Sequence, residues 1–347
     1  MLKKLAVVML ILGILLATGY YLLIGVSKTA NNGSNISRNL LSPFGNTGPV
    51  KSPEELRKEK SVFKDSAVLN VLLIGTDTSL ARRQRGQLGF NTDTLVLISA
   101  NPEKNTVLLT SVPRDLWVNG NKINALYVLY GWESLKTAFE EITGQKIDGY
   151  IVTDFDGFRW IIDSFGGTSV EIKNTFTDVS FPNTQDSGVT PVSFVEGEEK
   201  MTGERALTYA RSRKGNNGEG SDLMRAKRQH LILQGMINAI SQPGSLFQPI
   251  DLPKFYEMVT QHMETSLNLD DVYYLWDFYK DREKYKIESF VIGGDYLYYP
   301  GMYPDSPYHA WVFIPIGNSF SKLQTDISAK INGTFISSIP TEEIANQ

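Results

Sequence analysis

Two aspartates and a series of arginines are the residues of this sequence best suited to chemistry on a phosphate. Asp77 stands in Gly75-Thr76-Asp77-Thr78 and Asp93 in Asn91-Thr92-Asp93-Thr94. Each adjoins a stretch that reads as a strand, and carboxylates at neighbouring strand ends can converge on one hard cation. Magnesium takes one or two protein carboxylates and fills its other positions with phosphate oxygens and water. Taken alone, either aspartate reads as well as a turn residue. Arg114 and Asp115 follow Val112-Pro113, where the proline ends a strand and sets the direction in which Arg114 emerges. Alone they would be a surface ion pair of little value. Arg211 and Arg213 close a helical pattern at Tyr209-Ala210-Arg211-Ser212-Arg213, ahead of a Gly/Asn-rich loop at 215–220. Guanidiniums there could grip phosphate oxygens through paired hydrogen bonds, which an ammonium does poorly. On the next helix Asp222, Arg225 and Gln229 fall at i, i+3 and i+7 and share a face, with Arg228 alongside. That pattern by itself is equally a solvated, salt-bridged face. Together, the arginines from 211 to 228 would repel one another unless something anionic sits among them. Phosphate or pyrophosphate is the natural ligand.

The elements that must position these groups are legible as apolar patterns. Strands are expected over 68–76, 94–100 and 106–112, the last two joined by Asn101-Pro102-Glu103-Lys104-Asn105. Leu135, Ala138, Phe139 and Ile142 predict a helix over 131–143, stopped by Gly144. A short strand over 150–153 follows, then a helix with Phe158, Ile161, Ile162 and Phe165 on one face, then a strand over 168–172. Residues 174–199 read as a loop with weak β content. Helices are expected over 202–209 and 221–240, with Ser221 as N-cap of the second. A helix over 267–279 and a strand over 287–292 complete the pattern, while the Tyr/Pro/Gly-rich stretch 296–315 takes no assignment. No internal repeat is visible. Alternating strands and helices imply an α/β or α+β sandwich.

The whole chain has 347 residues and a net charge of −4, which gives no global pull toward nucleic acid or anionic lipid. It has no cysteine, which excludes disulfides, thiolate-bound zinc and cysteine nucleophiles. Its three histidines, His230, His262 and His309, are far apart, which argues against a histidine metal site or a serine–histidine–aspartate triad. After Met1-Leu2-Lys3-Lys4 comes an uncharged apolar run from Leu5 to Val26. That run is long enough to cross a hydrocarbon core of about 30 Å. Lys3 and Lys4 favour a cytoplasmic N-terminus, so the run reads as a signal-anchor with the rest of the chain outside the cytoplasm. Residues 1–28 are thus expected to be stub and transmembrane helix. Residues 29–66 are expected to be a flexible tether, 67–320 the catalytic domain and 321–347 a C-terminal tail.

The stretches Asn70-Val71-Leu72-Leu73-Ile74-Gly75-Thr76-Asp77, Thr92-Asp93-Thr94, Ser111-Val112-Pro113-Arg114-Asp115, Lys122-Ile123-Asn124, Tyr209-Ala210-Arg211-Ser212-Arg213 and Asp222 to Gln229, in this order behind one apolar run, resemble the LytR–CpsA–Psr family of cell-wall glycopolymer ligases. The resemblance implies a three-layer α/β/α-like sandwich with a central mixed sheet and a hydrophobic pocket for a polyprenyl tail. It implies Mg2+ held by Asp77 and Asp93. It also implies pyrophosphate contacts from Arg114, Arg211, Arg213, Arg225 and Gln229, with Lys122, Asp222 and Arg228 as further contacts. Arg114, Arg211, Arg213 and Asp115 are the expected catalytic set, with Asp77, Asp93 and Asp115 as candidate bases. Some members carry an Arg two residues before the second aspartate. This chain has Asn91 there, so Arg82, Arg83 or Arg85 would have to substitute. The implied partners are a polyprenyl-pyrophosphate-linked glycopolymer, a peptidoglycan acceptor and the membrane, with no nucleic acid. Two competing functions use the same residues: a polyprenyl-pyrophosphate hydrolase, and a non-catalytic lipid- or polymer-binding regulator.

Overall fold

The computed structural model describes residues 61–335 except 65, 88–89, 165, 184–187, 241–251, 281–283 and 302–308. The apolar run at 5–26 and most of the expected tether lie outside the described residues. No helix among those described is long and apolar enough to cross a membrane.

Three long strands form the centre of the sheet: β1 (Leu69–Thr76), β2 (Thr92–Asn101) and β3 (Thr106–Ser111). A short ribbon, β4 (Trp117–Val118) with β5 (Asn121–Lys122), follows them. Then come β6 (Gly149–Thr153), β7 (Thr168–Ile172), β8 (Phe176–Asp178), β9 (Val192–Phe194) and β10 (Gly197–Met201). The last strands are β11 (Glu264–Thr265), β12 (Lys286–Val291), β13 (Leu297–Tyr298) and β14 (Ile314–Pro315). The main sheet has the order β11-β6-β1-β2-β3-β12. It is mixed: β2 runs antiparallel to β1 and β3, while β6 is parallel to β1 and β12 parallel to β3. The weak β content expected over 174–199 takes the form of β8, β9 and the start of β10, which pairs with β7.

Alternation along the central strands explains the layers. Leu69 and Val71, with Val96, Ile98, Val107 and Leu109, face one apolar core, while Leu72, Ile74, Leu95, Leu97 and Leu108 face another. Successive strand side chains point to opposite faces, so strands apolar at every position must be covered on both sides. The nine helices named for the described residues are α1 (Leu80–Gln84), α2 (Ile123–Tyr130), α3 (Trp132–Thr143), α4 (Phe155–Ser164), α5 (Gly203–Arg211), α6 (Asp222–Ile240), α7 (Leu252–His262), α8 (Leu269–Lys280) and α9 (Ser321–Ile331). Helices α4 to α8 cover the first face, contributing Ile161, Tyr209, Ile232, Val259 and Val272. Helices α2, α3 and α9 cover the second, contributing Ile123, Phe139 and Ile327. Each fully buried side chain of this kind stabilises the fold by roughly 1.5–3 kcal/mol. Removing Phe139 to Ala should therefore cost about 3–5 kcal/mol.

The folded body is longer at both ends than expected. Phe63 is fully buried against the first core, its ring tilted at 37° to that of Tyr274 with centroids 5.9 Å apart. At the other end Leu323, Ile327 and Ile331 of α9 are buried in the second core, so 321–331 is part of the domain and no tail. Two glycines set close approaches. A Cβ on Gly75 would lie 2.9 Å from the Thr94 side chain, and one on Gly235 would lie 2.3 Å from the Ser169 carbonyl. The first lets Thr94 cross the end of β1. The second lets α6 sit directly on β7.

Candidate active site

The ends of β1, β2 and β3, the last turn of α5 and the first turns of α6 meet at one edge of the sheet. Asp77 follows β1, and its main-chain N–H donates to the Asn91 carbonyl at 3.0 Å. Asn91 N–H donates back to Asp77 Oδ1 at 2.6 Å. This two-way clasp sits at a register shift between Gly75 and Thr76. Burial raises the Asp77 pKa, and the nearby charge of Asp93 raises it further against the Asn91 N–H and Arg82. Asp93 Oδ2 accepts from Arg114 Nη1 at 2.6 Å and lies 4.0 Å from Arg225 Nη1. Its Oδ1 is buried and makes no hydrogen bond.

Arg114 leaves β3 as Pro113 directs it and joins two acids, Asp93 and, through Nε at 3.4 Å, Asp115. Burial works to lower the Arg114 pKa, but Asp93 and Asp115 outweigh it and leave it raised. Lys122 Nζ donates to Asp115 Oδ1 at 2.6 Å, so Asp115 is held between two cations.

Helix α5 begins at the N-cap Thr202, which accepts from Arg205 N–H, and ends as Ser212 turns extended. Asp178 organises the corner: its Oδ2 accepts from Ser212 Oγ at 2.8 Å, Arg213 N at 3.2 Å and Lys214 N at 3.1 Å. Burial opposes its charge, yet these donors hold its pKa below the usual range. Sequence reasoning missed Asp178, and only its place after a short β pattern could have hinted at it. Beyond the corner, Arg213 makes a bidentate pair with Asp222, at 2.8 and 3.1 Å. Arg211 lies 4.3 Å over the Phe155 ring.

Asp222 opens α6, with Arg225 Nη1 3.4 Å away. Burial opposes the Asp222 charge, but Arg225 and Arg213 lower its pKa. Arg225 is nearly buried, and its pKa is lowered by burial and by Arg114 and Arg213 against Asp222 and Asp93. Its Nε is buried without a hydrogen bond. Gln229 donates from Nε2 to Thr94 Oγ1 at 3.0 Å.

One expected contact, Arg228, lies away from the cavities. Arg228 is 1% exposed and lines neither cavity described below. It donates to Glu219 Oε2 at 2.7 Å, to the Glu219 and Tyr209 carbonyls at 3.0 and 3.1 Å, and to the Ser212 carbonyl. Its donors are spent on the end of α5 and the following loop. Asp222 lines both cavities, where it stands between Arg213 and Arg225 as their counter-charge. Of the three arginines offered for the place of Asn91, Arg82 lines the cavity beside Asp77, whereas Arg83 pairs with Asp154 at 3.0 Å.

Two cavities meet here. The first, about 640 Å3, runs from Asp77, Arg82 and Arg211 inward past Leu73, Val96, Phe158, Leu233, Met236 and Met263. The second, about 660 Å3, holds Arg114, Asp115 and Lys122. Asp93, Arg213, Asp222, Arg225 and Gln229 line both and so form a shared wall. Among the described residues no group of three or more His, Asp or Glu could hold a metal alone. Two carboxylates with one buried, unpaired oxygen do fit an ion that takes its other ligands from phosphate and water.

The family model described as the LytR_cpsA_psr family matches residues 42–313. The polyisoprenyl-teichoic acid–peptidoglycan teichoic acid transferase TagV of Bacillus subtilis (strain 168) is 26% identical over 273 residues, covering 76% of this chain and 65% of that protein. The transferase of the same description, TagU, from Bacillus anthracis is 28% identical over 253 residues, covering 71% and 76%. Among solved structures, B. subtilis TagV superposes with a TM-score of 0.57 at 26% identity, covering 76% of this chain and 97% of its own. The gbs0355 protein of Streptococcus agalactiae does so with a TM-score of 0.60 at 22% identity, covering 80% and 93%, a likeness of fold.

Proposed function

The chain belongs to the LytR–CpsA–Psr family, and from that premise we propose that it transfers a glycopolymer phosphate from a polyprenyl-pyrophosphate carrier to peptidoglycan or a related cell-wall acceptor. The observation that carries this reading is one cavity with two chemistries. Its depth is aliphatic and aromatic and suits a prenyl chain, while its mouth is ringed by Arg82, Arg211, Arg213 and Arg225. Burying an apolar chain contributes roughly 0.8 kcal/mol per methylene, enough to draw a carrier lipid partly out of a bilayer. The guanidiniums then meet the pyrophosphate.

The reaction is a displacement at the phosphorus nearer the glycan. A bond forms from an acceptor sugar hydroxyl to that phosphorus as the bond to polyprenyl phosphate breaks. The proton lost by the hydroxyl passes to the departing phosphate or to solvent. Phosphoryl transfer of this kind is catalysed mainly by positioning and charge neutralisation. Arg211, Arg213 and Arg225 bind the phosphate oxygens from the lipid side, and Arg114 from the other side of the shared wall. Asp222 and Asp115 hold those cations apart and in place, and Gln229 fixes the Thr94 edge. Asp77 and Asp93 would hold Mg2+, which when bound supplies further positive charge to the pyrophosphate oxygens. The apolar run at 5–26 would serve as a single-pass membrane anchor that keeps the catalytic domain on the extracytoplasmic side.

The test supplies a polyprenyl-pyrophosphoryl oligosaccharide labelled in the sugar, purified wall and magnesium to the full chain. Label should move onto the wall with release of polyprenyl phosphate. Asp93→Ala or chelator should abolish the transfer while leaving the melting temperature near wild type. Label released as soluble sugar phosphate at the same rate with or without wall identifies a hydrolase instead. Carrier bound but left intact would sink both enzymatic readings.

A further inference from the structure

The second cavity differs in lining from the first. Its outer part is built from Trp311, Phe313, Gly293 and Gly294, and its inner end carries Arg114, Asp115 and Lys122. Trp311 is 43% exposed, and an indole offers a broad apolar face for stacking. The Tyr299 ring stacks against it, with centroids 4.0 Å apart at 25° between planes, which braces the indole. The segment is tied by main-chain hydrogen bonds to the residues beside Arg114. Phe313 N–H donates to the Asp115 carbonyl at 2.9 Å, and Trp117 N–H donates to the Phe313 carbonyl at 2.8 Å. The aromatic platform is therefore held in register with the arginines.

An exposed, braced indole next to a carboxylate and an ammonium is chemistry suited to a sugar. The C–H face of a pyranose packs on the ring, and its hydroxyls exchange hydrogen bonds with Asp115 and Lys122. The cavity thus joins two aromatic rings, Trp311 and Phe313, to a wall of charged and hydrogen-bonding side chains. The shared wall then decides which sugar. In phosphoryl transfer the attacking and leaving oxygens lie roughly in line through phosphorus. If the prenyl phosphate leaves into the first cavity, the incoming hydroxyl approaches from the other side of the wall, which is the second cavity. We propose that the second cavity is the acceptor subsite, in which Trp311 stacks on a saccharide ring of the wall and presents its hydroxyl past Arg114 to the phosphorus. The assignment rests on the transferase reading above.

The test uses the full chain in lipid nanodiscs, with Trp311→Ala and Trp311→Phe. The substrates are a lipid-linked donor and soluble N-acetylglucosamine–N-acetylmuramic acid oligosaccharides. The KM for the oligosaccharide should rise about tenfold in the Ala variant and less in the Phe variant. The KM for donor, the affinity for polyprenyl pyrophosphate and the melting temperature should stay within twofold or a few degrees of wild type. A rise in donor KM with acceptor KM unchanged would assign the cavity to the donor glycan and overturn the proposal, as would no change in either. Saturation-transfer NMR of the oligosaccharide without donor separates this from failure of the transferase reading. Binding that vanishes in Trp311→Ala, alongside a wild type that moves no label to the wall, keeps a saccharide site and discards the transferase. Absence of binding to wild type discards the site.

Discussion

Arg225 and Arg228 stand one helical turn apart on α6, are 8% and 1% exposed, and are held in opposite ways. Around Arg228 the donors end on Glu219 and on main-chain carbonyls of 209, 212 and 219, with the Phe176 ring 5.1 Å away. Around Arg225 the nearest carboxylates stand at 3.4 and 4.0 Å, its one hydrogen bond is a 3.3 Å contact with the Asp93 carbonyl, and its Nε has none. Burial lowers the pKa of both, but only Arg225 also has Arg114 and Arg213 pressing on it. A buried cation tied by four hydrogen bonds to its own chain is fastening a fold. One whose donors are left over, among like charges, is arranged for an anion that comes and goes.

The largest expected effect breaks that contrast or makes it firm. Arg228→Met leaves Glu219 charged and unpaired in the interior, a loss of about 3–5 kcal/mol. For a domain of this size the melting temperature should fall by roughly 6–20 °C. The fraction that stays folded should still transfer. Arg225→Gln should do the reverse, with melting within about 3 °C of wild type and turnover down by roughly tenfold to a hundredfold, the worth of one charge-assisted hydrogen bond. Calorimetry and steady-state kinetics on the two variants decide the matter, and equal effects on both quantities would erase the distinction.

The next largest concerns pH in the packed region. His230, neighbour of Gln229 on α6, is buried with Nε2 2.7 Å from Ser111 Oγ, and burial lowers its pKa from 6.5 to about 4. Below pH 6.5 the unfolded chain takes up a proton that the folded chain refuses until about pH 4. Stability is therefore lost as the pH falls through that window, by up to about 3 kcal/mol. Urea unfolding at pH 7, 5.5 and 4.5 should show the loss, and His230→Gln should remove it. An unchanged slope in the variant would assign the acid sensitivity elsewhere.

The smallest effect lies on the site side, where the sign reverses. Asp77 has a raised pKa, so above that value its charge strains the folded state. As the pH falls through the raised pKa toward 3.8, the folded state takes up the proton first and gains stability. Asp77→Asn, which keeps an acceptor for the Asn91 N–H, should raise the melting temperature of magnesium-free protein by about 1–3 °C and abolish transfer. A lower melting temperature would mean that Asp77 belongs with Arg228 as a fastening group.

Much of the fold is legible in the sequence because the central strands are apolar on both faces and their apolar runs end beside Asp77 and Asp93. Arg114, Arg211 and Gln229 are legible through spacing and through Pro113, all local signals. Arg228 was misread because a three-residue step places it beside Arg225, and periodicity cannot say that Glu219 already fills its groove. Asp178 carried no mark, since its role is made by Ser212, Arg213 and Lys214 from more than thirty positions away. Helix α9 was readable but unread: Leu323, Ile327 and Ile331 recur every four positions. The aromatic segment at 311–313 gained meaning only through its main-chain bonds to 115 and 117.

The pairing of β12 with β3 bears on how the chain reaches this state. Lys286 lies against Thr106, so the outer edge of β3 waits for residues about 180 positions further along. At a synthesis rate of roughly 5–20 residues per second, that edge stays open for some ten to forty seconds. Its sequence, Thr-Val-Leu-Leu-Thr-Ser, is a β-prone apolar strip of the sort that seeds pairing between chains. Closure by a distant parallel strand is also intrinsically slow. Completion of the main sheet thus waits on β12, and the yield of correctly folded chains should depend on something shielding that edge until β12 arrives.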